Sequence, residues 1–165
     1  MNAGLIIREA GIPDAEDIAT LFSEFSRLLG VDGLPDEIAF LEENVVVSRE
    51  TMARRLQRMA AVEHVLLAEL DGRPAGLCCL RLVPYIGQDT PYAEVTQLYV
   101  RAEAQRRGVG AALLDAAEQR ARAAGATAVQ IVTGADNTGA QAFYAAQGYA
   151  MPGVVFWKYL EAVKV

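Results

Sequence analysis

Histidine occurs once in this 165-residue chain, as His64, and cysteine twice, as the adjacent pair Cys78 and Cys79. Neighbouring side chains of a strand point to opposite faces, so the pair offers neither a disulfide framework nor a metal clamp. One histidine excludes a His-rich zinc site and leaves any Ser-His triad resting on His64 alone. His64 reads as strand-edge structure, and no metal is expected. Cations are also short, with 15 Lys and Arg against 21 Asp and Glu and a net charge of -6. That balance excludes a general nucleic-acid binder, because neutralising phosphates needs clustered cations in a basic field. No run approaches the roughly 20 apolar residues of a membrane span, and the N-terminal MNAGLIIREAG lacks a basic region followed by a long apolar run. No membrane association and a cytoplasmic location are therefore expected.

What is present is apolar material for a core. Hydrophobic residues make up 53% of the chain and charged residues 22%, which places it among folded globular proteins and predicts one domain over residues 1–165. Leu5 to Glu9 reads as a strand. Ile12-Pro13-Asp14 opens a helix with Ile18, Leu21, Phe22, Phe25 and Leu28 at helical spacing, stopped by Gly30. Pro35 starts a second helical stretch, and Ser48 caps a third that runs to about Ala60. Val45 to Val47 fits none of these patterns. His64 to Leu70, the turn Asp71-Gly72 and the run from Ala75 to Pro84 predict an antiparallel hairpin. Ala93 to Val100 is a further strand, Ala111 to Ala124 a helix closed by Gly125, Thr127 to Thr133 a strand, Thr138 to Gln147 a helix ended by Gly148, and Val154 to Tyr159 a last strand. The order predicts an α/β fold, a central mixed sheet flanked by helices.

The segment Gln105-Arg106-Arg107-Gly108-Val109-Gly110 lies directly between a predicted strand and a predicted helix. Its amides point out of an oncoming helix N-terminus, which attracts anions, and Arg101, Arg106 and Arg107 concentrate positive charge there. Gly108 and Gly110 let the backbone approach a phosphate without a Cβ in the way. A pyrophosphate is the natural occupant. The P-loop needs Lys after its last glycine, and Ala111 stands there; the dinucleotide fingerprint needs a small residue at 113, where the chain has Leu113. Both are excluded, and a plain tight turn is the remaining structural alternative.

QRRGVG resembles the Q/R-x-x-G-x-G/A pyrophosphate signature of the GNAT superfamily of acetyl-coenzyme A-dependent N-acetyltransferases. A second stretch, from Asn137 through Ala140, Phe143, Tyr144 and Gly148 to Tyr149, is similar to that family's N-x-x-A-x-x-F/L-Y-x-x-x-G-F/Y. The resemblance implies acetyl-coenzyme A as cosubstrate, held by the segment from Gln105 through Arg106, Arg107, Gly108, Val109 and Gly110 to Ala111. It implies that backbone groups of Leu98 and Val100 meet the thioester and pantetheine arm, that Asn137 bonds the cofactor near its thiol end, and that Tyr144 stands beside the sulfur. Asn137 can also be read as a helix cap and Tyr144 as core. The family's central sheet is further expected to splay between Ala93–Val100 and Thr127–Thr133, with coenzyme A wedged there. A homodimer is compatible with the resemblance.

Acyl transfer to an amine needs a neutral nucleophile, a stabilised oxyanion and a proton for the departing thiolate. The Leu98 amide and the Tyr144 hydroxyl answer the last two. Glu94, 11 positions before Gln105, matches the strand glutamate that serves as general base in one histone-acetylating branch, with a structural or substrate-orienting role equally open. Tyr99, Glu42 and Glu43 are weaker candidates, the last two reading better as a solvated helix face. The acceptor is a primary amine on a small molecule, or alternatively a protein lysine or N-terminus; a non-catalytic acetyl-coenzyme A-sensing or partner-binding domain is the third reading.

Overall fold

A computed structural model describes residues 4–28, 46–150 and 153. Among these residues five strands form one sheet in the order β1 (Leu5–Glu9), β2 (Glu63–Leu70), β3 (Arg73–Val83), β4 (Tyr92–Val100) and β5 (Val129–Ile131). The first four pair antiparallel and β5 joins β4 in parallel, so the sheet is mixed, as expected. The β2–β3 hairpin turns on Asp71 and Gly72, both at positive φ (54° and 75°), which is the Asp-Gly turn that matches the twist of paired strands.

Among the described residues four helices cover the two faces: α1 (Ala15–Leu28), α2 (Arg49–Met59), α3 (Val109–Ala123) and α4 (Thr138–Ala146). Helix α1 is entered through a 3-10 turn at Ile12–Asp14, where Asp14 accepts the Gly11 amide at 2.9 Å, and α2 is capped by Ser48, which accepts from the Thr51 amide. Helix α3 starts two residues earlier than its apolar pattern suggests. Gly108, at φ 77°, turns the chain into it in the left-handed region.

Alternation along the strands feeds two cores. Leu66, Ala68, Cys78, Leu80 and Val95 pack with Leu113, Leu114 and Ala117 of α3. Leu67, Leu77, Cys79 and Tyr99 point the other way, against Ile18 and Leu21 of α1 and Met52 of α2. The adjacent cysteines thus serve opposite faces as free, buried thiols, with burial pushing the Cys78 thiol up to about 12. Val47, which no pattern placed, is buried in the second core and donates its amide to Ser23 Oγ at 3.1 Å.

Strand β5 is shorter than its apolar run suggested, three residues instead of Thr127–Thr133, and pairs with β4 only from Ala93 to Val95. Residues on its N-terminal side stay tied to β4, since Ala93 donates to the Ala128 carbonyl at 2.8 Å. Beyond Ile131 the two strands part. The predicted terminal strand Val154–Tyr159, the helical stretch from Pro35, the stop at Gly30, and Glu42 and Glu43 lie outside the described residues. Among the described residues no helix is long and apolar enough to cross a membrane, and no group of His, Cys, Asp and Glu side chains could hold a metal ion.

The far end of β4 is stapled to α1. Arg101 places Nε and Nη2 on the two Glu24 oxygens, each at 2.9 Å, and Nη1 on the Pro74 carbonyl at 2.8 Å. The Tyr99 hydroxyl donates to Glu24 Oε2 at 3.1 Å. Bonding to Arg101 holds the Glu24 carboxyl below its ordinary value of 4.5. A depressed carboxyl contributes stability that is complete above its unfolded-state value and is lost as pH falls through the folded-state value. Thermal unfolding followed from neutral to acid pH should therefore show Glu24→Gln less stable than the parent at neutral pH, with the difference closing below about pH 4. A difference that does not depend on pH would remove the ion pair as its cause.

Candidate active site

Two hydrogen bonds of β4 define its free edge. Ala93 turns its amide toward β5, whereas Arg101, the residue that follows β4, donates its amide at 2.9 Å to the carbonyl of Ala75 in β3. These residues lie an even number of positions apart and in a regular strand would face the same neighbour. They do not, because the register passes from Cys79 opposite Gln97 to Leu80 opposite Val95, leaving Thr96 as an extra residue. This bulge exchanges the two edges. Beyond it Tyr99 turns its backbone groups to β3, and Leu98 and Val100 turn theirs to the side that β5 has left. The Val100 carbonyl accepts the Gln105 side-chain amide at 3.1 Å.

The chain then runs through a 3-10 turn, Ala102–Ala104, into the glycine loop. Arg106 (φ 59°) and Gly108 (φ 77°) both adopt left-handed backbone, and α3 carries no acidic residue in its first turn. The Gly108 carbonyl already takes the Ala112 amide at 3.0 Å, so the amides before residue 112 form the unbonded helix end. Arg106 is exposed and makes no ion pair among the described residues, whereas Arg107 reaches Asp71 Oδ2 at 3.2 Å. Arg101 does not join them as expected, being committed to Glu24 and Pro74. Gly110 has a further reason besides the expected one. A Cβ there would lie 3.3 Å from Phe143 Cζ and 3.7 Å from Val100 Cγ2, so this glycine admits the Phe143 ring where α3, α4 and β4 meet.

That contact brings the two sequence motifs together. Asn137 caps α4, its Oδ1 accepting the Ala140 amide at 3.1 Å, which leaves its NH2 group outside the cap. Tyr144, its ring centroid 5.4 Å from that of Phe143 and 6.1 Å from that of Tyr149, packs against the α3-side core. Burial, with a smaller contribution from Cys78, pushes its hydroxyl up to about 12, so it keeps its proton at any ordinary pH. Tyr149 is raised further by burial and by Glu118, to which it donates at 3.2 Å.

Glu94 lies on the opposite face, between Ala93 and Val95, which both point to α3. Its Oε2 accepts Arg81 Nε at 2.8 Å and Nη2 at 2.6 Å across the β3–β4 pair. Tyr99, the other base candidate on β4, is 8% exposed, bonded to Glu24 and pushed up to about 12 by burial. It is a structural residue. His64 contacts Glu9 and Arg120 through Nδ1, each at 2.9 Å, consistent with its reading as strand-edge structure. Sequence reading singled out neither Arg81 nor the contact between Thr96 Oγ1 and Glu63 Oε1. Both depend on cross-strand register, for which local residue patterns carry no signal.

A sequence model of the acetyltransferase (GNAT) family matches residues 35–149. An IAA acetyltransferase of Azospirillum brasilense is 29% identical over 148 residues, covering 90% of this chain and 85% of the relative. A mycothiol acetyltransferase of Sanguibacter keddieii is 39% identical over 109 residues, 66% of this chain and 35% of that longer protein. Among solved structures, an aminoglycoside acetyltransferase from an uncultured soil metagenomic sample, crystallised with sisomicin, superposes with a TM-score of 0.76 at 19% identity over 95% of this chain and 96% of that one. A ribosomal-protein-alanine N-acetyltransferase from Brucella melitensis gives a TM-score of 0.76 at 16% identity, over 96% of this chain and all of the other. These two likenesses concern the fold alone.

Proposed function

Because the chain belongs to the acetyltransferase (GNAT) family, we propose that it transfers an acetyl group from acetyl-coenzyme A to a primary amine of a small molecule, with both substrates bound together. The observation that carries this reading is the open edge of β4 at Leu98 and Val100, leading directly into the Gly108-started N-terminus of α3. Relatives named for IAA and mycothiol support a small-molecule acceptor over a protein.

The residues fit the cosubstrate. Unbonded amides at the start of α3, with Arg106 beside them and no acidic residue in the first turn, suit a pyrophosphate. The freed backbone of Leu98 and Val100 suits an amide-bearing arm that adds to the sheet as a partial strand. Asn137 contributes its side-chain NH2. When bound, acetyl-coenzyme A supplies an activated acetyl thioester. The Leu98 amide stabilises negative charge on the acyl oxygen, and Tyr144 donates to the departing sulfur. A hydroxyl near 12 is a weaker acid than a thiol of about 8.5, so Tyr144 assists by a hydrogen bond that hands over its proton late.

The test of the reading is release of free thiol from acetyl-coenzyme A with spermidine, tryptamine and kanamycin. Acetyl-coenzyme A at about 100 times its dissociation constant should add about 2.7 kcal/mol of stability. No thermal shift and no calorimetric binding would overturn it.

Gly108→Val forces a β-branched residue to φ 77° and sets its side chain among the phosphate-facing amides; acetyl-coenzyme A affinity should fall about tenfold or more. Gly125→Val is the control, since that glycine sits at φ 80° at the far end of α3 with nothing within 4 Å of an added Cβ. It should carry similar backbone strain and keep parental affinity. Equal affinity losses in the two variants would show that strain, and not the site, is being measured.

Tyr144→Phe keeps the ring packed and removes only the hydroxyl. Cofactor affinity should hold while single-turnover acetylation slows by about 100-fold, the lower end of positioned acid catalysis. Parental rates would return Tyr144 to a packing role.

A further inference from the structure

The loop at Gly108 and Tyr144 lie with α3 and α4 on one face of the sheet. An amine that reaches the acyl carbon at the free edge of β4 from the other face meets the side chains β4 turns toward α1 and α2. Three carboxylates stand there: Glu24 of α1 is taken up by Arg101 and Tyr99, and the other two differ. Glu94 has its Oε2 engaged by two N–H groups of Arg81, so a proton arriving on that oxygen must displace the guanidinium. Glu63 makes no ion pair among the described residues. Its Oε1 accepts the hydroxyl of Thr96, the bulge residue itself, two positions before Leu98.

Glu63 belongs to this face: it alternates with Val65 and Leu67 of the α1–α2 core, and its charge is one of the influences raising the buried Cys79 thiol. Its far side lines a cavity of about 220 Å³ between β1, β2 and α2, bounded also by Gly11, Ile12, Leu56 and Gln57. The pair therefore begins at the bulge, where β4 opens, and ends at a space that water can reach.

We infer that Thr96 and Glu63 form the proton-accepting relay on the amine side of β4, an assignment that rests on the acetyl-transfer reading above. As the C–N bond forms and the C–S bond breaks, the amine proton passes to Thr96 Oγ1 while the hydroxyl proton passes to Glu63 Oε1. Tyr144 supplies the separate proton that the sulfur takes. Glu63 then returns its proton to water in the cavity, and the phenolate of Tyr144 recovers one from solvent. Glu63 acts through Thr96 and is a positioning and proton-storing residue; Thr96 is the group that touches the amine. Glu94 stays fixed by Arg81, and the acceptor enters the step as a neutral amine, an ammonium having first given one proton to solvent.

Glu63→Gln is the informative variant, because its amide oxygen still accepts the Thr96 hydroxyl and preserves the tether. Single-turnover acetylation of whichever of spermidine, tryptamine and kanamycin the parent uses fastest should fall about 100-fold in Glu63→Gln and in Thr96→Val. The limb of the pH profile on which the parental rate drops as the carboxylate protonates should vanish in Glu63→Gln. Acetyl-coenzyme A affinity by calorimetry should match the parent in both. A parental rate and pH profile in Glu63→Gln overturns the relay even if Glu63→Ala is impaired, because Glu63 is then only a tether. A loss confined to Glu94→Gln overturns it in favour of that carboxylate. A parent that binds acetyl-coenzyme A but acetylates none of the three amines overturns the transfer reading and the relay together, and that result is read on the parent alone.

Discussion

Strand β4 has to satisfy two neighbours that make incompatible demands, and the extra residue Thr96 reconciles them. Near Ala93 the strand must turn amides to β5 to close a parallel pair; near Val100 it must stay bonded to β3 while leaving its other edge open. A regular strand has one parity along its length and would continue the first arrangement to the end. The bulge reverses that parity in one step. Without it, Gln97 and Tyr99 would present their amides to the gap, and the buried Tyr99 ring could not remain in the α1–α2 core.

Parting of β4 and β5 exposes backbone groups, which is costly where water is excluded. The neighbourhood limits that cost. Gln105 reaches back to the Val100 carbonyl, Arg101 fixes the strand end to Pro74 and Glu24, and Phe143 wedges α4 against Gly110 and Val100. These contacts are intramolecular, so the glycine loop and the free edge hold their relative positions through the protein's own packing. Preorganisation of this kind means that binding energy need not be diverted to building the site.

Both motifs were legible in the sequence because each is local: QRRGVG and the Asn137–Tyr149 stretch carry their meaning in spacing along the chain, and the fold class followed from element order. Legibility ended where register began. Glu94 reads from its distance to Gln105 as either a base or a structural residue, and its Arg81 partner, 13 residues earlier, meets it only through the β3–β4 pairing. Arg101 looked like part of an anion site from its proximity to Arg106, yet its partner Glu24 lies in α1, 77 residues away. Gly110 reads as a phosphate glycine, and its additional contact with Phe143 is one between helices that no one-dimensional spacing encodes. Strand β5 was drawn too long because an apolar run reports burial, and residues bordering a gap can be apolar without being paired.

Charge bears on the proposed cosubstrate, since a chain of net charge -6 would have to bind an anion. At physiological ionic strength exposed charges are screened within about 8 Å, so the total matters less than the signs within that radius of the pyrophosphate. There the first turn of α3 is free of acidic residues, Arg106 and Arg107 stand in the loop, and the helix end adds roughly half a positive charge. Asp71, which borders the loop, is paired with Arg107. On the opposite face the signs reverse, with Glu24, Glu63 and Glu94 against Arg81 and Arg101. The sheet thus separates a local anion site from a surface of residual negative charge. On the proposed acetyl-transfer reading, an ammonium acceptor would be attracted to the second and repelled by the first, which would favour binding of the two substrates from opposite sides of the same strand edge.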